Sequence, residues 1–157
     1  LIAGVLFAGR GLDLMKRLSI KPVDLLGFFG KGDGALDSQA GVTNFLILGI
    51  RGEGSDSPNL TDSMIVISLN QNTKKISQIG IPRDLWVPSL QAKINTAYYY
   101  GEEASPGAGI TLAQSSVLED LGLPINYTVV INFSLFKNVV DLLGGVDKDV
   151  SPGFQYK

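Results

Sequence analysis

Cysteine and histidine are both missing from these 157 residues. Without cysteine there is no disulfide framework and no thiol nucleophile. Without histidine, the commonest general base and the commonest metal ligand are gone. A metal here would have to be held by oxygen, which suits magnesium, manganese or calcium rather than zinc. Positive charge is also scarce. The 13 Lys and Arg stand against 15 Asp and Glu, a net charge of −2, and this argues against nucleic acid, which calls for a basic surface. The apolar start, Leu1–Gly9, is nine apolar or small residues, too short to cross a bilayer alone. It fits the tail of a transmembrane helix, an ordinary buried helix or a truncated signal peptide.

What is present supports one domain with a core, since 45% of the residues are hydrophobic. The chain starts at Leu1 rather than Met and stops at Lys157 just after Ser151-Pro152-Gly153, and a fragment of a longer protein is expected at both ends. Gly11 to Phe29 has a helical, mildly basic pattern with Arg10, Lys16, Arg17 and Lys21, and Pro22 suits the first turn of a second short helix. The Gly-rich stretch 30–41 reads as a linker.

After it, Thr43–Ile50 is a near-continuous apolar run, as expected of a central strand covered on both faces. The runs 64–69 and 75–81 are rich in β-branched residues and are joined by the polar stretch 70–74, which predicts a β-hairpin. A turn centred near Asn72 sets Asp62 level with Arg83. A carboxylate, an arginine and a second carboxylate, Asp84, then meet at one end of the sheet. Pro82 ends the second strand there because it cannot donate a ladder hydrogen bond. Residues 93–100 fit a short helix with Ile94, Ala97 and Tyr98 inward, and 101–109 a flexible loop. A capping box at Thr111 is expected to open a helix buried through Leu112, Val117, Leu118 and Leu121. Residues 127–132 read as a buried strand. Ser134 is expected to cap a last helix with Leu135, Phe136, Val139, Val140, Leu142 and Leu143 inward, and Val146–Val150 to begin a further strand. The pattern is α/β, a mixed central sheet flanked by helices, with an N-terminal membrane-proximal helix.

The plainest reading of Asp62 and Arg83 is a surface ion pair contributing about 0–1 kcal/mol. The functional reading rests on chemistry. Two carboxylates suit a cation, and the planar guanidinium fork suits phosphate oxygens. Arg51 can reach the same sheet end, beside a loop whose glycines permit close approach of a ligand. Lys93 adds a point charge. Trp86, Tyr98, Tyr99 and Tyr100 are candidates to wall an apolar pocket beside the cluster, and otherwise belong to the core. A nucleotide-binding reading of Gly49, Gly52 and Gly54 is weak, because no helix start follows to receive a phosphate.

Several ordered stretches, Asn44–Ile50, Leu60–Met64, Ile79–Val87, Lys93–Tyr98 and Gly144-Gly145-Val146, together resemble the LytR-CpsA-Psr family over roughly Thr43 to Val150. Pro82-Arg83-Asp84 after an apolar strand, with Lys93-Ile94-Asn95 downstream, is the most specific part. The resemblance implies a bacterial enzyme in the cell membrane, single-pass, with its domain on the extracytoplasmic side. Such an enzyme transfers a glycopolymer from a polyprenyl-diphosphate carrier to peptidoglycan, with magnesium (or manganese) at the diphosphate and the lipid in an apolar pocket.

By matching position, the resemblance makes Asp62 the metal ligand and Arg83 and Asp84 the catalytic candidates. Arg51, Arg83, Lys93 and Asn95 become substrate-binding residues. It divides the chain into 1–29, the end of a transmembrane segment with membrane-proximal helices; 30–41, the linker; and 42–157, the catalytic domain, truncated at its C-terminus and inactive by itself. The family usually carries an Asp and an Arg just after the first strand, where Arg51-Gly52-Glu53-Gly54 stands, and an Arg where Leu60 stands. Glu53 and Asp56 both remain open as substitutes for that carboxylate. The rival expectation is a non-catalytic polyprenyl-phosphate-binding or regulatory envelope module.

Overall fold

The computed structural model describes residues 36–147. The expected helices of 1–29 and most of the expected strand 146–150 lie outside the described residues. The part of the expected linker that is described, 36–41, is tied to the domain. The Gln71 side chain donates to Leu36 O at 3.0 Å, and the Asp37 N–H donates to the Tyr127 hydroxyl at 2.9 Å.

Four strands form a mixed sheet in the order β3-β2-β1-β6. β1 (Val42–Ile50) runs antiparallel to β2 (Thr61–Asn70) and parallel to β6 (Tyr127–Asn132), while β3 (Ile76–Ile81) closes the hairpin on β2. Met64 pairs with Ile81. That is the register expected from the sequence, and two residues further on Asp62 and Arg83 face each other. β4 (Trp86–Val87) and β5 (Ala92–Lys93) make a small second sheet. A single 3-10 turn (Ile94–Thr96) leads into helix α1 (Ala97–Ala104), which is followed by α2 (Ala108–Leu121) and α3 (Phe133–Leu142).

Side chains alternate across a strand, so each strand has two faces of different fate. Leu46, Leu48, Met64, Val66 and Ile81 share one face and pack on Val87, Ile94, Ala97, Ala113 and Val117 as the core. The opposite face, carrying Phe45, Ile47, Ile65 and Ile131, is only half-buried. Among the described residues β1 is therefore covered along its length on one face, while on the other only Thr43 is fully buried, against the expectation of two covered faces.

The helices differ from expectation for one common reason. Residues 101–104 belong to α1 rather than to a loop, and α2 starts at Ala108 behind Gly107, leaving Thr111 inside the helix. A β-carbon on Gly101 would stand 2.5 Å from Gly109 Cα. These glycines bring two helix backbones together rather than breaking them. With the helices so close, the small residues Ala113 and Ser116 join Val117 as the buried face of α2, and Leu118 and Leu121 turn outward.

Asn132, not Ser134, caps α3, its side-chain oxygen accepting from Leu135 N at 2.7 Å. No residue of α3 is buried. Phe136 is 57% and Leu143 is 78% exposed, so the expected inward stripe has little to pack on among the described residues.

Candidate functional site

The carboxyl ends of β1 and β6 and the start of β2 meet at one end of the sheet, where ligands commonly bind in α/β folds. The pairing of β1 with β2 slips there. Gly49 lies opposite Ser63, but Ile50 lies opposite Thr61, leaving Asp62 as an extra residue. Such a bulge re-aims a side chain. Here the bulged carboxylate lies between the two arginines.

Arg51 Nε donates to Asp62 Oδ2 at 2.8 Å, and Arg83 Nη1 donates to Asp62 Oδ1 at 2.5 Å. The line of charge continues, with Arg83 Nε 3.8 Å from Asp84 Oδ2 and Lys93 Nζ donating to Asp84 Oδ1 at 2.7 Å. Arg51, Asp62, Arg83, Asp84 and Lys93 thus alternate in sign along one edge. The Asp62 carboxylate holds the Arg51 guanidinium more firmly protonated, by hydrogen bond first and by charge second. The Lys93 hydrogen bond and charge hold the Asp84 carboxyl below its usual range, with a smaller contribution from Arg83.

Arg51 is held from both sides. Ile50 pairs with Asn132 of β6. Gly52 is buried in the left-handed region at φ +86°, its N–H donating to Pro58 O at 2.9 Å. Arg83 is held by its own turn. Leu85 N donates to Pro82 O at 3.1 Å, and Asn95 N donates to Arg83 O at 3.2 Å. Asn95 is 5% exposed, beneath the charged row rather than within it. Its side-chain oxygen and the Thr61 hydroxyl are buried without a partner among the described residues.

A cavity of about 350 Å³ opens beside the row, lined by Ile47, Gly49, Ile65, Ile131, Phe133 and Phe136 with Asp62 and Ser63 among its walls. Trp86, Tyr98, Tyr99 and Tyr100 do not line it, and Tyr98 packs against the core instead. The usable signal was the alternation of β1 and β2, whose odd-numbered residues share the cavity face.

A divalent cation held by oxygen needs several convergent donors. Both Asp62 oxygens already accept from guanidinium groups. Among the described residues, no group of three or more Asp and Glu could hold a metal ion. Neither Glu53 nor Asp56 completes such a group. This donor set does not fit a resident magnesium or manganese ion.

The profile of the LytR_cpsA_psr family matches residues 21–157. A polyisoprenyl-teichoic acid–peptidoglycan teichoic acid transferase TagU of Bacillus cereus is 32% identical over 114 residues, covering 70% of this chain and 35% of that relative. Among solved structures, TagT bound to LI-WTA is similar with a TM-score of 0.59 at 28% identity, covering 79% of this chain and 46% of that one. TagV of Bacillus subtilis is similar with a TM-score of 0.57 at 28% identity, covering 76% and 47%. The chain spans about a third of the curated relative's length and under half of each of these two structures.

Proposed function

This chain belongs to the LytR-CpsA-Psr family, and from that premise we propose that it forms the diphosphate-binding side of a glycopolymer transferase within a longer protein. The carrier would be a polyisoprenyl lipid and the acceptor peptidoglycan, in line with the names of its relatives, and the arginine pair suits a diphosphate as the link between lipid and polymer. One observation carries the reading. An apolar cavity has in its wall Asp62, the carboxylate that bridges Arg51 and Arg83, which brings together the two halves of a site for an apolar tail with an anionic head.

Transfer at such a site forms a bond between an acceptor hydroxyl oxygen and the polymer-side phosphorus. It breaks the bond from that phosphorus to the bridging oxygen, releasing polyprenyl monophosphate and a proton. Arg51 and Arg83 would bind and orient the phosphates, whose charge is costly beside an apolar wall unless compensated. Asp84 would hold Lys93 at the rim. The test is polymer transfer by the full-length protein from a polyprenyl-diphosphate donor to peptidoglycan. Loss of polymer attachment in the Arg83→Ala variant supports the reading. Full activity in that variant rejects it.

A second reading, a non-catalytic polyprenyl-phosphate binder, is favoured by one feature. Asp62 and Asp84 are each committed to cationic partners, so neither offers a free carboxylate as a base. Lipid binding without any transfer would select this second reading.

The proposed setting is the cell membrane, crossed once, with residues from Val42 onward on the extracytoplasmic side where peptidoglycan lies. Among the described residues no helix is long and apolar enough to cross a membrane, and Leu1–Gly9 is assigned to the outer end of the span. Arg10, Lys16 and Arg17 would then lie outside, against the usual inward bias of positive charge. Protease applied to intact cells should degrade the domain; complete protection would reverse the orientation.

A further inference from the structure

The Asp62 carboxylate is the usual kind of anchor for a cation at a diphosphate, yet its two oxygens accept from Arg51 at 2.8 Å and Arg83 at 2.5 Å. We infer that in this chain Arg51 stands where a divalent cation would, so that the site binds a diphosphate on two guanidinium groups without a metal, and Asp62 positions both. This deepens the diphosphate reading above and rests on it.

Four observations carry the inference. First, the arginines keep donors for a ligand. A guanidinium has five N–H donors. Arg51 reaches Asp62 through Nε, which leaves its terminal nitrogens. Arg83 uses Nη1 for Asp62 and points Nε toward Asp84 at 3.8 Å, which leaves Nη2.

Second, Arg51 has a built position rather than a mobile one. Strand pairing of Ile50 with Asn132 fixes one side, and buried Gly52 against the Asn132 side chain fixes the other. Third, the row sets Asp62 and Asp84 against three cations, Lys93 and the two arginines. The arginine side chains are 40% and 47% exposed, so water can screen whatever charge a doubly negative head leaves over. Fourth, the described carboxylates nearby do not converge into a cation site.

The chemistry differs from that of a cation in a way that can be measured. A guanidinium pair binds phosphate through directed hydrogen bonds and is indifferent to chelators. An arginine replaced by a carboxylate beside Asp62 would instead create a pair of acids able to attract a hard cation.

The experiment titrates the full-length protein with inorganic pyrophosphate and with a short-chain polyprenyl diphosphate, by calorimetry, in EDTA and in magnesium. The inference expects equal affinity in both buffers. Arg51→Gln should weaken binding by roughly tenfold or more in both, as loss of about 1.4 kcal/mol requires. R51D should bind weakly in EDTA and recover in magnesium, a change of metal dependence that a merely structural arginine would not produce. Thermal unfolding of each variant verifies that it is folded.

Parental binding that needs magnesium overturns the inference while leaving the diphosphate reading intact. So does an Arg51→Gln variant with unchanged affinity. Absence of binding to either probe in both buffers rejects the diphosphate reading and the inference with it. Metal-free binding without polymer transfer rejects only the transferase.

Discussion

Gly52 lies against Asn132 so closely that a β-carbon on it would stand 2.9 Å from Asn132 Cβ. The contact joins the loop that carries Arg51 to the residue that caps α3. It also requires a left-handed backbone, at φ +86°. Gly52→Ala therefore meets two costs, about 1–2 kcal/mol for the left-handed conformation and a displaced neighbour. The melting temperature should fall and pyrophosphate affinity should weaken together, because Arg51 shifts with its loop. A stability loss with unchanged affinity would mean that the loop does not place Arg51.

Arg83→Lys keeps the charge and loses the fork. The lysine ammonium can still meet Asp62 but cannot hold that carboxylate and a phosphate oxygen in one plane, as the guanidinium can through Nη1 and Nη2. Transfer by the full-length protein should drop roughly tenfold or more, corresponding to about 1.4 kcal/mol of lost transition-state stabilisation. Transfer at the parental rate would make Arg83 only a structural partner of Asp62.

The Asp84 carboxyl should titrate below the ordinary aspartate value of about 3.9, because Lys93 bonds and attracts its charged form. A carboxyl lowered by folding adds stability that is present above its unfolded value and is lost as pH falls through the folded one. The Asp84–Lys93 contact should thus survive mild acid and release only below the usual carboxylate range. Carbon-detected NMR of the Asp84 carboxyl would follow this, and in Lys93→Met the midpoint should move back up. A midpoint unaffected by that substitution would contradict the pairing.

Gly101→Ala should separate α1 from α2, because the added carbon would sit 2.5 Å from Gly109 Cα and 2.7 Å from Ala108 O, both backbone atoms that cannot swing aside. Overpacking of this kind costs about 1–3 kcal/mol. The urea midpoint should fall with little change in slope, and pyrophosphate affinity should hold, since the helices lie on the core face of the sheet. An unchanged midpoint would show that the helix pair can open at no cost.

The sequence by itself determined the β2–β3 hairpin and, through it, the meeting of Asp62 and Arg83. Both sides of that pair hang from one short turn, and a turn's length sets register without help from elsewhere. It likewise carried the family resemblance, which resides in short ordered motifs around Asp62, Arg83 and Lys93.

Tertiary structure alone decided the rest. Arg51 meets Asp62 where the β1–β2 pairing slips at Ile50, a shift of register that the residues of neither strand spell out alone. Asn95 went beneath the site because its turn folds back onto Arg83. Gly101 and Gly109 have the composition of a loop, yet form a close helix contact, because a missing side chain permits either and only the partner decides. The apolar stripe of α3 is visible in its periodicity, but how much of it is buried depends on what lies across from it. Burial is a property of two surfaces, and a single stretch of sequence specifies one of them.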